Sequence, residues 1–124
     1  MSMSGEPILA AERWSAKELL AAGWAEADLV FEQIAERTVE AAARGDLAGA
    51  KTEAGAALRL ARENFEAIDP RLGTALANFA VCLALSGDMT GNAPLLADAR
   101  AVWRGAGPWI ARMDAPRVAR SSLF

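Results

Sequence analysis

The chain has 124 residues and a formal net charge of −3, a length that predicts a single domain. Hydrophobic residues make up 53% and charged residues 23%, a balance that excludes an intrinsically disordered chain. Alanine, the best helix former, occurs 30 times, whereas tyrosine is absent and β-branched residues are few, so an all-α fold is predicted.

Residues 1–14 contain neither a basic segment nor a long apolar run, so they are predicted to be a flexible N-terminus and not a secretory signal. Cytoplasmic localisation is therefore expected. The sequence Ser15-Ala16-Lys17-Glu18 has the pattern of a capping box and predicts a short helix that continues to Ala22. Gly23 would end this helix.

Two longer helices are predicted next, over 25–44 and 47–68, because apolar residues recur there three or four positions apart. Gly45 suits the left-handed position that follows a helix, and Asp46 is the candidate N-cap of the next one. Pro70 ends the second of these helices, because proline restricts the residue before it.

A very apolar helix is predicted over 71–86, but it is shorter than the roughly 18–20 residues that span a bilayer. It is therefore interpreted as a buried core helix. A fifth helix is predicted from residue 92 or 93 to residue 104, with Pro94 in its first turn. Residues 108–113 could add one further turn, and residues 114–124 are predicted to be a C-terminal tail.

The sequence also contains a repeat. "RGDL" at 44–47 recurs as "SGDM" at 86–89, an offset of 42 residues that is typical of stacked helix pairs. "GDLAGAKTEAGAALRL", with small residues at Ala50 and Ala57, resembles the second half of a tetratricopeptide repeat (TPR). "DPRLGTALANFAVCLALSGD", starting at Asp69, is similar to the proline and first helix of the long, kinesin-light-chain type of this repeat.

The resemblance implies antiparallel helix pairs stacked as a short right-handed TPR-like superhelix. Within a domain of residues 15–113, two repeat-like units would occupy 25–68 and 70–105, and the flanking short helices would cap them. In this family the first helices of successive repeats line a concave groove that binds a segment of a partner protein. The corresponding residues of this chain are Glu32, Ala35, Glu36, Val39, Thr74, Ala77, Asn78 and Val81.

The predicted groove is mildly acidic, so a basic or mixed apolar segment is the expected ligand. Asn78 has two interpretations that the sequence leaves open, a hydrogen-bonded core amide or a groove residue. Carboxylates recur every fourth residue from Asp28 to Glu40 and are interpreted as a solvated helix face that is paired partly with Arg37 or with a neighbouring helix. The alternatives are a docking surface for a basic partner, including the arginine-rich C-terminus of another copy, and a metal site, which would usually include histidine.

The chain contains no histidine, which removes the most common general base and metal ligand, so neither a catalytic centre nor a cofactor or metal site is predicted. Cys82 lies in an apolar helix without an adjacent cation and is interpreted as a small buried hydrophobic residue. Trp103 and Trp109 are interpreted as a hydrophobic cap, with an interface as the alternative.

The leading hypothesis from the sequence is a non-enzymatic protein–protein interaction module, acting as an adaptor, scaffold or assembly factor. The alternative is a structural subunit, including a homodimer, that associates through its helical end faces. A small-molecule binder or enzyme is the third and least favoured hypothesis. Lysine is rare and no basic face dominates, so neither nucleic acid nor membrane is an expected partner.

Overall fold

The computed structural model describes residues 15–112, so the predictions for residues 1–14 and 114–124 lie outside the described range. The described chain forms six helices. They are α1 (Ala16–Ala21), α2 (Glu26–Ala43), α3 (Leu47–Asn64), α4 (Pro70–Leu85), α5 (Met89–Arg104) and α6 (Gly107–Arg112). Helices account for 82% of these residues and no strand is present among them, which confirms the predicted all-α class. None of the six helices has both the length and the apolarity needed to cross a bilayer.

The four long helices pack consecutively, each on the next. Two contacts between α2 and the segment that contains α3 show how these helices are oriented. Arg37 of α2 pairs with Glu53 of α3 (Nε to Oε2, 3.3 Å). Nearer the start of α2, the rings of Phe31 and Phe65 meet with their centroids 5.2 Å apart. Higher residue numbers on α2 thus face lower numbers on α3, an antiparallel arrangement. Because the connections are short, α2 and α4 run in the same direction.

The core lies between these helices and is built mainly from small and aliphatic side chains. At the end near the Gly45 turn, Ala41, Ala50, Ala54 and Cys82 form a cluster in which small residues allow close helix approach. Cys82 is 2% exposed, which confirms its interpretation as a buried hydrophobic residue. The larger cluster contains Phe31, Ile34, Ala57, Leu58, Ala61, Ala75, Leu76, Ala77 and Ala99.

The predicted helix ends are confirmed where local hydrogen bonds determine them. At the start of α1 the Glu18 N–H donates to Ser15 Oγ (3.1 Å) and the Ser15 N–H donates to Glu18 Oε1 (2.9 Å), which is the predicted capping box. Gly45 and Gly87 have φ values of +81° and +92°, so glycine is favoured where α2 and α4 end.

Two predicted boundaries are wrong. Helix α5 begins at Met89 and not at residue 92 or 93, because Asp88 acts as its N-cap and accepts the Gly91 N–H at 2.9 Å. Pro94 therefore lies inside the helix and not in its first turn. Helix α3 ends at Asn64, four residues early, because Phe65 adopts an extended conformation that turns its ring toward Phe31.

Candidate functional site

A buried polar cluster surrounds Arg71, in the first turn of α4. Its Nη1 donates to Asp28 Oδ1 of α2 at 2.6 Å, and its Nη2 donates to Asp69 Oδ2 at 2.6 Å. A third bond joins Arg71 Nε to Asp69 Oδ1 at 3.0 Å. All three side chains are buried, so one guanidinium links the beginning of α2 to the beginning of α4.

The two carboxylates of this cluster also cap helices. Asp28 Oδ2 accepts the Ala25 N–H at 2.7 Å at the start of α2, and Asp69 Oδ1 accepts the Arg71 N–H at 2.9 Å as the N-cap of α4. Each carboxylate therefore satisfies an otherwise unpaired N–H group and binds the guanidinium. Local helix-start geometry fixes both acids in the orientation that Arg71 requires.

Two aromatic rings cover the guanidinium. Arg71 Cζ lies 3.8 Å from the ring centroid of Phe65 and 5.4 Å from that of Trp109 in α6. Both distances allow cation–π attraction, which is stronger where water is excluded. Trp109 is buried by this packing, as expected for the predicted hydrophobic cap.

The electrostatic balance of the cluster favours the charged arginine. Burial by itself would lower the pKa of Arg71, but its hydrogen bonds and ion pairs with Asp69 and Asp28 outweigh that effect and raise the pKa above its ordinary value. The cluster thus holds a permanent cation between two carboxylates. Within residues 15–112, no three acidic or cysteine side chains come together as a metal site would require.

The eight predicted groove residues lie on α2 and α4, the two helices that the Asp28–Arg71 pair joins. Four of them are buried: Ala35, Ala77, Glu32 at 2% exposure and Asn78 at 4%. The other four, Glu36, Val39, Thr74 and Val81, are half-buried. Each helix thus contributes both buried and half-exposed positions, and whether these form a binding groove stays a prediction.

The expected solvation of the acidic row is wrong for its first half, whereas the expected pairing with a neighbouring helix is present at Asp28. Asp28 and Glu32 are buried, whereas Glu36 is half-buried and Glu40 is exposed. The physical reason is that the start of α2 meets α4, where Arg71 binds Asp28. In the sequence, Asp69 and Pro70 indicate only a helix boundary, and the cluster was not predicted. An arginine in the first turn of a very apolar helix was the available signal.

The two tryptophans predicted as a cap or interface lie on α5 and α6, and not on the two helices that carry the predicted groove. Trp103 of α5 donates its indole N–H to the Pro70 carbonyl oxygen at 3.2 Å and packs on Gly73 of α4. It remains 37% exposed, in contrast to the buried Trp109. Trp103 thus fastens α5 to the first turn of α4, close to the Arg71 cluster.

Comparisons of the chain with models of known protein families, with curated proteins and with solved structures found no match.

Proposed function

We propose that the chain is a non-enzymatic protein–protein interaction module of the cytoplasm, a TPR-like adaptor, scaffold or assembly factor that holds a segment of a partner protein along α2 and α4. In this proposal the pairs α2/α3 and α4/α5 are two repeat-like units of a short right-handed superhelix. The short helices α1 and α6 cap its two ends.

The observation that supports this proposal most directly is the ion pair between Asp28 and Arg71, residues that are 43 positions apart. This separation is close to the 42-residue offset of the "GD" turns, so equivalent ends of α2 and α4 lie next to each other. A groove between repeats requires that their first helices, here α2 and α4, lie side by side, run in the same direction and have equivalent residues at the same height. Glu36 and Asn78, 42 positions apart, would be equivalent positions of the two units.

The charge along α2 supports a basic or mixed apolar ligand. Glu36 is half-buried, and the buried Glu32 lies one helical turn before it. Half-buried Val39 and Val81 add apolar surface on the two helices. An extended segment that alternates basic and apolar side chains would match both features.

The experiment measures binding of fluorescent basic–apolar, acidic and neutral peptides to the full chain, together with co-purification from the native host. We expect a stoichiometric protein partner and binding of the basic–apolar peptide. Glu36→Lys should weaken that binding at least about tenfold, because it reverses a charge in the groove. Glu63→Lys, the same change at an exposed position of α3, is the matched control. Equal affinities of the two variants would contradict the proposal.

A second candidate function is that of an oligomeric subunit that associates through an end face. Leu85 and Met89, on either side of the turn between α4 and α5, are 51% and 63% exposed, and Leu47 is exposed at the corresponding turn before α3. Light scattering tests this candidate. A concentration-independent dimer that Met89→Glu dissociates would support it, whereas a monomer at all concentrations would exclude it.

A further inference from the structure

A second groove, between α3 and α4, is lined by residues that the predicted α2/α4 groove does not use. It is open to solvent and has a volume of about 440 Å³. Its lining residues are Gly55, Leu58, Arg59, Arg62 and Glu63 of α3 and Phe79 of α4. At about 100° per residue, Phe79 lies about 150° around the axis of α4 from the mean direction of the four predicted groove residues on that helix. The α3/α4 groove is therefore a separate surface.

The floor of the α3/α4 groove is apolar, because a glycine faces an aromatic ring there. Gly55 lies near the middle of α3, and its nearest neighbour in the direction of a Cβ atom is Phe79 Cε1. Phe79 packs on two core clusters, yet it is only half-buried, whereas residues 75–78 and Ala80 around it are buried. Leu58, at 4% exposure, completes the floor. The missing side chain at position 55 leaves part of the Phe79 ring uncovered.

Neither backbone geometry nor packing requires glycine at position 55. Gly55 is not among the glycines with positive φ, in contrast to Gly45 and Gly87. A Cβ atom would lie 3.5 Å from Phe79 Cε1, an ordinary contact, so alanine would fit. Glycine inside a helix is destabilising relative to alanine. Residues that lower stability without a structural role are typical of functional sites, so Gly55 favours a groove that a ligand occupies.

The rim of the α3/α4 groove carries two guanidinium groups. Arg59 and Arg62 are both exposed and, being three positions apart, are neighbours on one side of α3. Neither forms an ion pair with any residue of the described range 15–112. Glu63 lines the same groove, so two positive charges face one negative charge there. Arginine and aromatic side chains are the residue types that most often anchor protein interfaces.

We propose that the α3/α4 groove binds an acidic segment of a partner protein, whose carboxylates pair with Arg59 and Arg62 while an apolar side chain packs on Phe79. Carboxylates three or four positions apart on a helical segment match the spacing of the two arginines. Arginine forms planar, bidentate pairs with carboxylates. The expected ligand of the α2/α4 groove is basic or apolar, so the two surfaces select segments of opposite charge.

The first test measures binding of a fluorescent peptide, with several glutamates around one phenylalanine, to the full chain. We expect Arg59→Glu with Arg62→Glu to weaken binding at least about tenfold, because both charge pairs become repulsive. The matched control is Arg100→Glu with Arg104→Glu, the same change at two exposed arginines of α5 that do not line the groove. Equal affinities of the two double variants would overturn the proposal.

The second test asks whether binding uses the apolar floor. Gly55→Ala should raise the thermal unfolding temperature and yet weaken binding of the acidic peptide about threefold, because its methyl group covers part of Phe79. Weaker binding by a more stable protein cannot result from unfolding. A peptide with serine in place of phenylalanine should bind at least about tenfold more weakly. Equal binding of the serine peptide, or of a single-stranded oligodeoxynucleotide, would contradict the proposal, since charge alone would then explain the affinity.

Glu36→Lys separates this inference from the proposed function. We expect it to leave the affinity for the acidic peptide nearly unchanged, because Glu36 does not line the α3/α4 groove. Amide chemical shifts should change most at residues 55–63 and around Phe79 when the acidic peptide is added. Changes that are largest at residues 32–39 would overturn the inference. Acidic-peptide binding without any basic–apolar binding would leave this inference standing and contradict the proposed function.

Discussion

Arg71 and Asp28, 43 positions apart in the chain, form a buried ion pair with 2.6 Å between Nη1 and Oδ1. The pair joins the first turn of α4 to the first turn of α2. Asp69, in the loop between α3 and α4, accepts a further hydrogen bond from the same guanidinium. Since Phe65 and Trp109 cover the same guanidinium, one side chain connects four parts of the fold. This cluster fixes the relative position of the two helices that carry the predicted groove.

Removing Arg71 should therefore destabilise the protein strongly. We expect Arg71→Ala to lower the free energy of unfolding by about 3–5 kcal/mol, because it leaves two buried carboxylates without their cation. Urea denaturation measures the change. Arg37→Ala is the control, since Arg37 forms a largely exposed pair with Glu53 and its loss should cost less than about 1 kcal/mol. Similar losses for both variants would contradict the role assigned to the cluster.

Two glycines within helices should respond to alanine in opposite directions. A Cβ atom at Gly73 would collide with the indole ring of Trp103, so Gly73→Ala should cost about 1–3 kcal/mol. A Cβ atom at Gly55 would lie 3.5 Å from Phe79 Cε1, an ordinary contact, so Gly55→Ala should stabilise by about 0.5–1 kcal/mol. Thermal unfolding measures both changes.

A double-mutant cycle checks the cause of the Gly73 effect. If the indole is the obstacle, Gly73→Ala should cost much less when Trp103 is replaced by alanine. An unchanged cost would place the strain elsewhere in α4.

The first turn of α5 should depend on pH through Asp88. The Gly91 N–H and then the Thr90 hydroxyl donate to Asp88 Oδ1, and these bonds lower the pKa of Asp88 below its ordinary value. A lowered pKa means that the cap stabilises the helix above about pH 4 and loses this effect as the pH falls through the folded-state pKa.

Carboxyl ¹³C titration should place the Asp88 midpoint below the ordinary aspartate value, and exchange of the Gly91 amide should accelerate in the same acidic range. Asp88→Asn retains an acceptor oxygen and cannot titrate. It should therefore keep the cap and show no such acceleration. A Gly91 amide that exchanges equally in both proteins across the acidic range would show that the carboxylate does not cap α5.

Cys82 should be unreactive in the folded protein. Burial raises the pKa of its thiol, which reduces the thiolate fraction, and the side chain is also inaccessible to reagents. We expect disulfide exchange with an aromatic disulfide to be at least about a hundredfold slower than in urea-unfolded chain, equivalent to an opening free energy of about 3 kcal/mol. Equal rates in the two states would show that the cluster around Cys82 opens freely.

Local signals in the sequence predicted the helical class and most helix boundaries. The capping box at Ser15 and the glycines at positions 45 and 87 act through hydrogen bonds and backbone sterics within a few residues, so the sequence alone reveals them. The start of α5 was missed because Thr90, Gly91 and Asn92 are poor helix formers. The Asp88 cap nevertheless starts the helix at Met89.

Only the tertiary structure decided which charges are buried. Asp28, Glu32, Glu36 and Glu40 have the same spacing on α2, yet the first two are buried and the last is exposed. Helical periodicity places residues on a common face but does not say what covers that face at each level. The sequence thus determined that α2 has an acidic face. The contact with α4 through Arg71 determined that Asp28, at the start of this face, lies inside the protein, because a buried carboxylate is costly unless a cation or hydrogen-bond donors accompany it.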